Sequence, residues 1–162
     1  MSDKVMEINN KISSLKSFFA EEDLTVSTNN VKSVLEKFLE LKSVMGNIHG
    51  NIHFLARYLA YLYLKEKYGI EIDLDTPEGR CGLDIEESNI VGEIKTTIPY
   101  LAKDFGAKQK EGVERDLSRL EKLKVRKKIF FVIHEKTEQI LRAKYEKKYP
   151  SVEIINLLKV DL

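Results

Sequence analysis

The chain has 162 residues, 43% of them hydrophobic, enough for one sizeable core and too few for two. Its formal charge of +1 hides an uneven distribution: Glu71 to Glu87 holds seven acids against Arg80 alone, whereas Lys95 to Lys128 holds eleven bases against five acids. The neutral total therefore leaves a polyanionic partner open, while a lone cysteine, Cys81, excludes an intrachain disulfide and a cysteine-based zinc site.

The opening MSDKVMEINNK lacks the apolar stretch of a signal peptide. The most apolar segment, FLARYLAYLYL, is interrupted by Arg57 and too short to span a bilayer, so a cytoplasmic protein with no membrane partner is expected. Apolar residues fall at Val5, Ile8, Ile12, Leu15 and Phe19, then at Val31, Val34, Phe38, Leu41 and Met45. That three-four spacing predicts two helices, the second capped by Ser27 or Thr28, with AEEDLTVS as their connection. Residues 1–46 thus read as a helical extension that packs on itself, on the body, or on a second copy as a homodimer.

GNIH follows twice over and sets His49 and His53 four apart. Gly46 and Gly50 disfavour helix there and no third metal ligand is evident, so the segment reads as a lead-in to a helix from about Ile52 to Tyr68, ended by Gly69. Residues 47–162 form the main domain. Beyond Gly69 the period changes: Ile70, Ile72 and Leu74 alternate with Glu71, Asp73 and Asp75, as in a strand with one buried face. TPEGRCG is a turn, a second strand starts near Leu83, and a tight connection at Glu87 to Ile90 leads to a third, Val91 to Ile98, stopped by Pro99. A charged helix from about Asp104 to Leu123, a buried strand at Ile129 to Ile133, a helix at about Glu135 to Lys148 and a strand in VEIINLL complete the order. A helix between strands implies parallel pairing with a right-handed connection.

The chemistry sits in GLDIEESNIVGEIKTT, Gly82 to Thr97. Side chains alternate along a strand, so Glu93 and Lys95 share one face and Ile94 points to the other. With Ser88 and Asn89 as a two-residue turn, positions summing to 177 pair across the hairpin. Asp84 then lies opposite Glu93, and Leu83 opposite Ile94 on the core side. Two carboxylates at that distance repel unless a cation joins them, and hard oxygen donors favour Mg2+ or Mn2+ over zinc. A neighbouring lysine can position water or stabilise charge on phosphorus. The plainer alternative is a salt bridge on a solvated sheet face, with Lys95 as counterion to Glu93 or Asp84.

With LD at Leu83-Asp84, EIK at Glu93 to Lys95, and the helix–meander–helix–strand order from Ile52 to Leu158, the chain resembles the PD-(D/E)XK nuclease superfamily, most of all small type II restriction endonucleases. The resemblance implies an α/β fold with a restriction-endonuclease-like αβββαβ core and a mixed central sheet. It implies DNA as substrate, Mg2+ or Mn2+ held by Asp84, Glu93 and the Ile94 backbone carbonyl, and Lys95 assisting the attacking water. Leu83 stands where the family often has proline. The leading helix has no acid before Glu66, so His53 or Arg57 occupies the equivalent region, and Glu86 is a further auxiliary candidate.

Thr97, Lys108, Gln109 and Arg115 follow the motif as candidate DNA contacts, with Thr96, Lys103 and Lys110 beside them. KVRKK at Lys124 to Lys128 is either a further contact or a charged strand end, and Asp75 is an alternative first carboxylate. Two other readings stay open: a noncatalytic DNA-binding or assembly module of the same fold, and a structure-specific repair or junction nuclease. Neither the recognition sequence nor a cognate methyltransferase can be inferred from the chain.

Overall fold

The computed structural model describes residues 3–20, 35–36, 39, 41, 43, 45–71, 82–87, 89–101 and 104–161. Its contacts divide the chain into two units, Met1–Asn51 and Ile52–Leu162. In the first unit, helix α1 (Asp3–Ala20) forms as its apolar spacing predicts, and Lys4 and Lys11 both reach Glu7 at 2.8 Å. These two bonds hold the Glu7 carboxyl at about 2. Of the expected second helix, the described positions between 35 and 45 are helical, and the rest lies outside the described residues.

Helix α2 (Ile48–Tyr68) begins earlier than its glycines suggested. Asn47 is the reason: its Oδ1 accepts from Gly50 N at 3.0 Å, satisfying a backbone donor that a helix start leaves open. The other end behaves as expected, since Gly69 takes a left-handed φ of 66° and its N–H donates to Lys65 O.

The second unit is built on a four-stranded mixed sheet in the order β1 (Ile85–Glu87), β2 (Ile90–Lys95), β3 (Lys127–Val132), β4 (Val152–Asn156). β1 and β2 are antiparallel, with Ile85 opposite Gly92 and Glu87 opposite Ile90, the register that positions summing to 177 predict. The other two pairings are parallel, and helices α3 (Ala107–Lys122) and α4 (Glu135–Lys144) make the crossovers. Of the anticipated strand at Ile70 to Asp75, Ile70 and Glu71 are described and are not in a strand, and the rest, with Asp75 and most of the TPEGRCG turn, lies outside the described residues.

Apolar residues cover both faces of the sheet. Ala56, Ala60, Tyr63 and Leu64 of α2 pack on Ile85, Ile90, Ile94, Ile129 and Phe131. On the other face Val113, Leu117 and Leu120 of α3 and Ile140 and Leu141 of α4 meet Val91, Phe130, Val132 and Ile154. This division corrects one expectation: Leu83 and Ile94 belong to opposite faces. β-pairing ends at Ile85, so Leu83 is free of the pleat and turns towards α3. α3 starts at Ala107 rather than Asp104 because Gln109 Oε1 accepts from Gly106 N at 3.0 Å and fixes the first turn there. Among the described residues, no helix is long and apolar enough to cross a membrane.

Gly92 sits on the α2 face of β2, where a Cβ would come within 3.2 Å of Phe131 Cε2 and 3.3 Å of the Ile129 carbonyl oxygen. A paired strand cannot yield at its own carbonyl. Gly92→Ala is therefore expected to destabilise the fold by roughly 1–3 kcal/mol, read as a lowered midpoint in thermal unfolding. An unchanged midpoint would mean that the β2–β3 contact is looser than these distances.

Candidate functional site

Along β2, Ile90, Gly92 and Ile94 face α2, whereas Val91, Glu93 and Lys95 face α3. The predicted separation of Ile94 from the two charges is thus present. The charges do not lie on a solvated surface: Glu93 is 6% exposed and Asp84 is 8% exposed.

Asp84 precedes β1 and reaches across to β2. Its Oδ2 accepts from Ile94 N at 2.6 Å, just beyond the end of the β1–β2 pairing, and its Oδ1 lies 3.0 Å from His53 Nε2 on α2. Burial pushes the Asp84 carboxyl up, but the His53 contact and the Ile94 N–H outweigh it and hold the group below the usual carboxylate range. Glu93 goes the other way. Burial first, and then the Asp84 charge, push it up to about 8, against the opposing pull of Arg119. Near neutrality Asp84 bears the charge and Glu93 the proton.

α3 supplies the remaining groups. Arg119 Nη2 donates to Glu93 Oε1, and Lys95 Nζ donates to Asp116 Oδ2 at 2.6 Å. Asp116 is 4% exposed, and its other oxygen accepts from Arg115 Nε at 3.1 Å. The lysine therefore has a carboxylate partner, but it is neither Glu93 nor Asp84. Sequence reading passed over both Asp116 and Arg119. A signal for Asp116 was available: it lies three residues after Val113 and four before Leu120, within the stripe that α3 buries. A charge at a core-facing position needs a partner.

The other candidates fall in different surroundings. His53 joins the cluster through Asp84, whereas Arg57, one turn further along α2, is half-buried and Glu86 is exposed on β1. Gln109 works on the loop: its Nε2 donates to Ile98 O at 2.8 Å and its Oε1 also accepts from Tyr100 N. The Thr97 carbonyl accepts from the buried Thr137 hydroxyl at 2.8 Å. Lys108 and Arg115 are exposed on α3. Of KVRKK, Lys127 and Lys128 belong to β3, where Lys128 is buried and donates to Glu121 O and Ser151 Oγ. Lys103 lies outside the described residues. A cavity of about 510 Å³ opens at the opposite end of the sheet, lined by Tyr68, Ile70, Glu87, Asn89, Ile90, Arg126 and Lys127, and none of the carboxylate cluster lines it.

Chemically, the cluster offers two buried oxygen donors that conflict electrostatically, one ammonium on the same strand face, and a guanidinium that offsets the conflict in part. Among the described residues, no three His, Cys, Asp or Glu side chains form a group able to hold a metal ion. In comparisons with known proteins, no family model, no curated protein and no solved structure matches the chain.

Proposed function

We propose that the protein is a Mg2+-dependent DNA endonuclease with a restriction-endonuclease-like core, cutting at specific sequences as a type II restriction enzyme does and acting as a homodimer. The observation that supports this best is the burial of two carboxyls side by side in sequence register, Glu93 on the central strand β2 and Asp84 bonded to the next residue's N–H, with Lys95 the following residue on the Glu93 face. Burying two carboxylates together costs free energy that a surface salt bridge would not incur. A divalent cation offsets that cost.

The donor set fits a hard cation: Asp84 and Glu93 supply carboxylate oxygens, Ile94 a backbone carbonyl, and water completes the shell. Bound there, Mg2+ would supply Lewis-acid stabilisation of the charge that develops on the phosphate. The protein's own groups do the rest. His53 and the Ile94 N–H fix the direction of Asp84. Lys95, steadied by Asp116, would offer its N–H donors to an attacking water and a phosphate oxygen. Hydrolysis adds that water to phosphorus, breaks the P–O3′ bond and leaves a 5′-phosphate and a 3′-hydroxyl.

Cleavage of large mixed-sequence DNA with Mg2+, with EDTA, and with Asp84→Ala protein tests the proposal. Discrete fragments that require both Mg2+ and Asp84 are expected. A smear would remove sequence specificity, and cutting confined to branched substrates would favour a junction nuclease. One observation favours the second reading, a noncatalytic binding module: each of Asp84, Glu93 and Lys95 already has an internal partner. DNA binding without cleavage, unchanged in Asp84→Ala, would decide for it.

A further inference from the structure

We propose that Arg119 is a phosphate-binding residue of this site, held on Glu93 as a counter-charge until a divalent cation displaces it. The inference rests on the nuclease reading above and assigns a role to a residue outside the Asp84, Glu93 and Lys95 set.

Three observations carry it. First, Arg119 contacts the same carboxylate that the cation would need. A guanidinium and a metal ion on one carboxylate compete, so each weakens the other's hold. Second, the pair spans the wall of the site: the Glu93 side chain is 8% exposed and that of Arg119 is 37% exposed, so the guanidinium lies on the solvent side, where a polyanion arrives. Four residues earlier on α3, and so on the same side of the helix, Arg115 is 76% exposed and extends the cationic face. Third, a bound dication would keep Glu93 ionised; with His53 neutral, Asp84, Glu93 and Asp116 then match Lys95, Arg115 and Arg119, and the dication leaves two positive charges that an anionic backbone neutralises. The planar fork of arginine suits two phosphate oxygens at once.

The arrangement predicts effects of opposite sign from one substitution. In calorimetric titration with Mn2+ alone, Arg119→Gln should bind the ion on the order of tenfold tighter than wild type, because its competitor is gone. In fluorescence anisotropy with a labelled mixed-sequence duplex and Ca2+ replacing Mg2+, the same variant should bind DNA on the order of tenfold more weakly. Arg119→Lys, which keeps the charge, should recover much of the DNA affinity and guards against a folding artefact. Unchanged or weaker Mn2+ binding in Arg119→Gln would overturn the competition, and unchanged DNA affinity would overturn the phosphate contact. A wild-type protein whose Mn2+ uptake is absent, or indifferent to Asp84→Ala, would overturn the nuclease reading itself and this role with it. That outcome is read from wild type and Asp84→Ala alone, before any Arg119 variant is compared.

Discussion

Lys95→Ala is expected to lower Mg2+-dependent DNA cleavage by about a hundredfold to a thousandfold, with DNA affinity measured in Ca2+ little changed. The size follows from removing one charged donor from a water-poor site where charge develops on phosphorus. The affinity is spared because the loss falls on the transition state rather than on the bound duplex. The fold should survive. Without the ammonium, Asp116 retains Arg115 Nε at 3.1 Å, so no buried carboxylate is left alone. Asp116→Asn distinguishes positioning from chemistry: Asn keeps an acceptor for Lys95 but lowers the strength of the bond, and a loss of about tenfold in kcat is expected. Single-turnover cleavage and circular dichroism on both variants check the two statements. Cleavage by Lys95→Ala at the wild-type rate would reduce the 2.6 Å Lys95–Asp116 bond to a structural ion pair and take Lys95 out of the catalytic set.

What the sequence discloses, and what it conceals, follows from which interactions are local. Alternation and a two-residue turn fix the register of the β1–β2 hairpin within a dozen residues, so the pairing from Glu87–Ile90 to Ile85–Gly92, next to Asp84 and Glu93, was legible. The parallel pairings were legible as well, because a helix between two strands leaves few other options. The start of α2 was not, because glycine propensity was weighed and the Asn47 cap was overlooked. Nor were the partners of the charges. Lys95 and Asp116 are 21 residues apart, Glu93 and Arg119 are 26 apart, and only the docking of α3 on β2 brings them together. The sequence offers Glu93 or Asp84 as counterion to Lys95, but on the folded sheet face Lys95 and Glu93 reach different residues of one α3 turn, Asp116 and Arg119. Gln109, a candidate DNA contact, likewise has partners that only the folded loop shows, bonding to Ile98, Tyr100 and Gly106.

Stability should respond to Glu93→Gln in the direction opposite to activity. In the unfolded chain the carboxyl titrates at about 4.3. In the folded protein, burial and the Asp84 charge push it up to about 8. Between those values the unfolded chain has released a proton that the folded protein keeps, so wild-type stability falls as pH rises through this window and levels off above it. Glutamine has nearly the same shape and no charge to desolvate; it still offers Arg119 an acceptor and Asp84 a donor. The variant and the wild type should therefore melt together near pH 4, and at pH 8 to 9 in EDTA and low salt the variant should be the more stable by roughly a few kcal/mol, or several degrees in Tm. Cleavage is lost, because the second carboxylate donor is gone. Adding Mg2+ should then narrow the gap from the wild-type side, since a cation that binds only the folded wild-type site stabilises it by mass action. A variant that melts below wild type at every pH would show that the Glu93–Arg119 pair is a net stabilising bridge. The carboxylate cluster would then be a structural ion-pair network, with no unresolved charge conflict for a cation to relieve.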